Sequence, residues 1–184
     1  MRDKIIQAAM EQIKKFGFRK FTIDDIAVDL GISKKTVYKY FDSKNQIISA
    51  VVDAHMEMEK ARTIEAMQTE GGWIDKFKEV VFCDNHEKVP DWLLEELQRF
   101  FPEEWAKADA IGEFKCEHVK KLLAIGKEKG DIRDDLHPAI IGLTLDKTID
   151  ALFDYKFLNQ HGLTISQAME QVKNIVLYGI LKRE

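Results

Sequence analysis

The stretch TIDDIAVDLGISKKTVYKYF, Thr22 to Phe41, decides how this chain is read. Thr22 followed three residues later by Asp25 has the form of a helix N-cap with its acidic partner. Ile23, Ile26, Ala27 and Leu30 then supply an apolar face about two turns long. Gly31 stands where a tight turn would go left-handed, and Ser33 can cap a further short helix that carries Val37 and Phe41 inward. A small residue at the crossing (Ala27), a glycine in the turn and branched apolar residues (Ile32, Val37) are what a helix-turn-helix requires at these offsets. With the first of the two helices packed behind it, the second is free to present Lys34, Lys35, Thr36 and Lys39 to the major groove of a duplex.

Working outward, Ile6, Ala9, Met10, Ile13 and Phe16 recur on one helical face, and Gly17 predicts a left-handed C-terminal cap that ends the first helix near Phe16. On the other side, Ser43-Lys44-Asn45-Gln46 is a second capping-box pattern, opening a helix that runs through Ile47, Ile48, Val51 and Val52 toward Met67. Groups suited to phosphate surround the lysine face: the hydroxyls of Thr22, Ser33, Tyr38 and Tyr40, the helix starts at Thr22 and Ser43, and the Lys44 cation. A cation in a first helical turn opposes the helix dipole, and an arriving phosphate would compensate it.

Taken together, Ile5 to Val52, with the signature TVYKYFDSKNQII, closely resembles the DNA-binding domain of the tetracycline-repressor (TetR) family. The resemblance implies that Thr22, Tyr38, Tyr40 and Lys44 contact phosphates and that Lys34, Lys35, Thr36 and Lys39 lie near base edges. Many family members carry histidine where this chain has Tyr40, which keeps a phosphate donor and drops the ring charge. Three lysines on so short a helix are compatible with guanine contacts or with added phosphate affinity. Resemblance over the rest of the chain rests on GDIRDD, Gly130 to Asp135, ahead of two long apolar helices.

Bulk properties agree with an all-α protein. The 184 residues are 45% hydrophobic and 33% charged, with three prolines and ten glycines, enough apolar matter for a core and a bias toward helices with charged outer stripes. Charge is uneven: residues 1–48 hold ten Lys/Arg against six Asp/Glu, a net of +4, and the remainder holds 18 against 26, a net of −8. The sequence thus predicts a three-helix DNA-binding domain over 1–48 and a helical effector-binding and dimerisation domain over 49–184. No apolar run of membrane length and no signal-peptide pattern is present, which points to the cytosol.

The later segments predict helices over Trp73 to Phe82, Asp91 to Phe101, Glu103 to Lys129, Pro138 to Asn159 and Ser166 to Lys182. By the resemblance, the last two pair with their twins in a homodimer. Ile140, Ile141, Leu143, Leu145, Ile149, Leu152, Phe153 and Phe157 cover more than one face, so one stripe can serve the subunit and another the partner. Ile165, Ala168, Met169, Val172, Ile175, Val176 and Gly179 form the second seam. Asp146, Asp150 and Asp154 stack four residues apart and read as a solvated stripe, a seam with lysines such as Lys173 or Lys182, or acids facing a cationic ligand.

Trp73, Phe77, Trp92, Phe100, Phe101, Trp105 and Phe114 are candidates for the walls of an effector pocket, set against the plainer reading of core aromatics. No cofactor is expected. An unidentified small-molecule effector, hydrophobic or cationic, is. Cys83-Asp84-Asn85-His86 and Cys116-Glu117-His118 lack a matching second half at zinc spacing, and neither cysteine sits beside groups that would lower its pKa. No nucleophile elbow, phosphate-cradling glycine loop or metalloprotease signature points to an enzyme. The competing reading is a helical protein-interaction module that uses the helix-turn-helix shape without specific DNA binding.

Overall fold

In the computed structural model, which describes residues 1–82, 90–153 and 155–182, the apolar periodicities become helices whose ends follow the capping residues. Among the described residues these are α1 (Arg2–Lys20), α2 (Ile23–Asp29), α3 (Lys34–Val37), α4 (Lys44–Gln68), α5 (Trp73–Phe82), α6 (Asp91–Phe100), α7 (Pro102–Glu128), α8 (Pro138–Leu152), α9 (Tyr155–His161) and α10 (Ile165–Ile180). Described helices offer no stretch long and apolar enough to cross a membrane.

The chain packs as two compact units: Met1–Glu59 with Lys88–Asp109, and Lys60–Glu87 with Ala110–Glu184. In the first, Ile5, Ala9, Ile26, Val37, Ile47 and Ile48 are fully or almost fully buried, and Leu93 and Leu97 of α6 belong to the same cluster. In the second, Phe77, Leu122, Leu123 and Ile132 form the centre, with Leu145 of α8 and Val172 of α10 around them. Packing groups α6 with the N-terminal helices.

Two expected helix ends differ in detail. Regular helix does break after Phe16, as expected, but Gly17 takes φ 87°, ψ 167°, and a further helical turn follows to Lys20. The positive φ is as expected, but this ψ is not that of a left-handed cap; the amides after the glycine are received by a side chain of α6, described below, so the turn restarts. The segment expected as one helix from Pro138 to Asn159 is divided into α8 and α9. The Phe153 amide is shared between the carbonyls of Ile149 and Asp150, the tightened geometry of a helix end.

In the second unit the GDIRDD segment ties α7 to α10. Lys127 donates to the carbonyls of Arg133, Asp134 and Leu136 at 2.8, 3.1 and 3.1 Å. Ile132 forms an isolated antiparallel bridge with Leu181. Trp73 donates its indole N–H to Asp131 at 2.7 Å and lies against Gly126, where an added Cβ would sit 2.6 Å from the indole ring. Gly126→Ala is therefore expected to lower stability by about 1–2 kcal/mol, overpacking outweighing the gain in helix propensity. Chemical denaturation measures it, and an unchanged or higher midpoint would contradict the packing described.

Candidate nucleic-acid interface

The helix-turn-helix forms from local chemistry. Thr22 accepts the Asp25 amide at 3.2 Å and its own amide donates to the Asp25 carboxylate at 2.8 Å, a complete capping box. Hydrogen bonding from Thr22 holds the Asp25 carboxyl below its ordinary range. The contribution of this cap is thus full above the usual carboxylate pKa and is lost as pH falls through the depressed value. Gly31 turns the chain at φ 62°, and its amide reaches the Val28 carbonyl. Ser33 accepts the Thr36 amide at 3.1 Å and opens α3. After Val37 the chain tightens into shorter-range turns through Tyr40, so that Val37 and Phe41 both point into the core.

This leaves a face of exposed polar groups. Ser33, Lys34, Lys35, Tyr38, Lys39 and Tyr40 are exposed and Thr36 is half-buried. Tyr38 and Tyr40 are 46% and 44% exposed, too open for core aromatics. Lys34 reaches back to Asp24 of α2 at 2.9 Å, and that hydrogen bond raises its pKa. Exposed Thr22 spends its hydroxyl proton on Asp25 at 2.7 Å, while Ser33 and Thr36 hydroxyls lie 2.9 Å apart. A phosphate at these three positions would exchange partners already in place.

Lys44 has its own partners. Its ammonium donates to the Arg19 carbonyl at 2.8 Å and lies 4.3 Å from the centre of the buried Phe21 ring. Partial burial lowers its pKa, opposed by the charges of Glu96 and Asp25. The compensation that the sequence reading sought from a phosphate is supplied in part by the chain itself. Ser43 accepts the Gln46 amide at 3.2 Å, but the Gln46 side chain accepts from Asp42 rather than from Ser43, so the second capping box closes one residue early.

The aromatic candidates are divided between the units. Trp92 and Phe100 are 46% and 43% exposed in the first unit, where Phe101 and Trp105 pack against the core. Trp73 and Phe77 are buried in the second unit, and the Phe114 ring lies tilted against that of His118, centres 4.6 Å apart. Of the dimer candidates, Leu145, Leu152 and Val172 are buried within their own subunit, Ile149 and Val176 are partly covered, and Gly179 accepts from Arg133 at 3.2 Å. Phe153 and Ile175 are exposed, as are Ile140, Leu143 and Tyr178 nearby in sequence. Asp146 and Asp150 both pair with Lys147 at 2.9 Å; Asp154 lies outside the described residues, as do Cys83 and His86.

Cys116 donates to Asp146 at 3.2 Å, and burial together with that carboxylate pushes the thiol up to about 11. At pH 8 only about one molecule in a thousand would carry the thiolate, so alkylation by iodoacetamide should be far slower than that of free cysteine. Since the thiol is held protonated in the folded state, its contribution is complete below pH 9 and fades as pH rises toward 11. Alkylation at the rate of an open thiol would contradict this.

The first unit thus carries a helix-turn-helix with exposed lysines on and after its second helix. Residues 5–51 match the family described as bacterial regulatory proteins, tetR family. The chain is 27% identical to YvaF, an HTH-type transcriptional regulator of Bacillus subtilis, over 100% of this chain and 97% of that protein. A transcriptional regulator of Saccharomonospora viridis, solved in complex with choline, shares the fold with a TM-score of 0.76 at 17% identity, over 99% of this chain and 98% of that one. FadR of Bacillus subtilis, solved with stearoyl-CoA, shares it with a TM-score of 0.66 at 20% identity, over 98% of this chain and 100% of that one. Over residues 5–51 the chain is thus similar to the tetR family of bacterial regulatory proteins, and over its whole length to an HTH-type transcriptional regulator.

Proposed function

We propose that this regulator is a ligand-responsive repressor that binds a palindromic operator as a homodimer. The observation that carries the reading is the exposed set Lys34, Lys35, Tyr38, Lys39 and Tyr40, on α3 and in the turn that follows it, around buried Val37. An exposed cation-rich face on a short braced helix gains affinity by displacing counterions from phosphates and gains selectivity at base edges. In this reading Lys34, Lys35, Thr36 and Lys39 lie near base edges, where each lysine either reads a guanine or adds phosphate affinity. Thr22, Ser33, Tyr38, Tyr40 and Lys44 lie along the backbone, with Lys44 offering the ammonium protons not used by Arg19.

Dimerisation is supported by the apolar side chains left uncovered on α8 and α10. Ile140, Leu143, Ile175 and Tyr178 are 60%, 55%, 71% and 73% exposed, a surface that water disfavours and a twin would cover. Two heads would then meet successive major grooves about 34 Å apart, and a small effector would act by altering their separation. The choline and stearoyl-CoA of the two similar structures differ in chemistry, so they support ligand response and leave the effector open between a hydrophobic and a cationic molecule.

The test uses the full chain and a random-sequence duplex pool. Recovery of a two-fold-symmetric motif, retarded as one complex with two protomers by sedimentation, is the expected result. Uniform binding of all duplexes even at low salt would remove the operator reading in favour of a protein-interaction role. Native mass spectrometry of the purified protein would reveal a retained effector, and its addition should weaken retardation.

A further inference from the structure

The short joint between α1 and the helix-turn-helix is held from two sides. After Gly17, the amides of Phe18 and Arg19 point at the carboxylate of Glu96 on α6, at 2.8 and 3.3 Å. The carbonyl of the same Arg19 receives the ammonium of Lys44, the first residue of α4, at 2.8 Å. The Arg19 guanidinium lies over the ring of Phe100, one turn beyond Glu96 on α6, 4.2 Å from its centre. Only Lys20 and Phe21 separate this gripped peptide from Thr22, the cap of α2, and Phe21 is itself buried under the Lys44 ammonium.

From this arrangement we infer that Glu96, with Lys44 as the opposite jaw, is a positioning residue for DNA binding: it grips the Phe18–Arg19 backbone and so fixes where α2, and the recognition face behind it, begins. The physical reason lies in the geometry of the joint. A residue whose N–H is bound to one helix and whose C=O is bound to another cannot turn about its φ or ψ without losing a charge-assisted hydrogen bond. Two residues of slack, one of them buried, leave α2 no independent path. Gly17 makes the joint reachable, because a side chain there would collide with Glu96 and come within 3.0 Å of Trp92. Lys44 thereby acquires a role that does not depend on phosphate.

The inference rests on the DNA-binding reading above, and its sign separates it from simple electrostatics. Removing an acid from a DNA-binding unit should tighten binding to every duplex. Gripping predicts the reverse for the preferred duplex alone. The experiment compares full-length wild type, Glu96→Ala and Glu96→Gln on the duplex selected by wild type and on an unselected duplex, together with amide hydrogen exchange at Phe18 and Arg19. Glu96→Ala is expected to weaken the selected duplex about tenfold, leave the unselected one unchanged or tighter, and accelerate exchange at both amides by about tenfold or more. Glu96→Gln, nearly isosteric and still an acceptor at one oxygen, should fall between and serves as the reading if the alanine variant does not fold. Selected-duplex binding that is unchanged or tighter, a loss shared equally by both duplexes, or unaltered exchange at the two amides would each overturn the role. Should wild type select no duplex, the DNA reading fails, and the exchange measurement still decides whether Glu96 grips the joint.

Discussion

Replacing Gly17 by alanine is expected to cost the protein about 3 kcal/mol of stability, a large effect for the addition of one methyl group. Its φ of 87° and ψ of 167° lie in a region that residues with a Cβ hardly occupy, which alone costs about 1–3 kcal/mol. A Cβ would also meet the Glu96 carboxylate and the edge of Trp92. Both neighbours end in movable groups, so the collision can be relieved, but only by withdrawing the carboxylate from the Phe18 and Arg19 amides. Loss of such charge-assisted bonds is worth about 1.5–3 kcal/mol. Equilibrium denaturation of the two proteins measures the difference; a change below about 1 kcal/mol would mean the joint is not built as described.

A second large effect is expected from Lys35→Ala combined with Lys39→Ala. Both side chains are exposed, next to Lys34, which is already paired with Asp24. If each subunit of a dimer neutralises two phosphates through them, the slope of log affinity against log salt should fall by about four and affinity at moderate salt by about a hundredfold or more. Were one of the two to read a guanine edge instead, the slope would fall by about half as much and discrimination at one base pair would be lost. A slope and affinity equal to those of wild type would remove α3 from the interface.

What was legible in the sequence follows from the range of the interactions concerned. Thr22 with Asp25, Ser33 with Thr36 and Gly31 in the turn act over three or four residues, so their spacing already encodes their geometry. The inward residues Val37 and Phe41 and the outward lysines follow from helical period. Lys44 was noticed because a cation at a helix start demands a partner; the identity of that partner, the Arg19 carbonyl, was not legible because the two are 25 residues apart. Glu96 carries no local signal of its role. Its contact with Phe18 spans 78 residues, and no local pattern reports such a distance. The break between α8 and α9 was hidden for the opposite reason: the apolar pattern runs straight through it.

By itself, then, the order of residues determined an all-α chain with a three-helix, lysine-faced head and apolar helices at its far end, since capping, turning and periodic burial are local properties. Only the tertiary structure decided that α6 packs with the head, that seven aromatics fall into two units, and that Arg19 is gripped by α4 and α6. Those outcomes depend on which surfaces meet once distant segments compete for the same core, and that competition is settled by packing rather than by any single stretch of the chain.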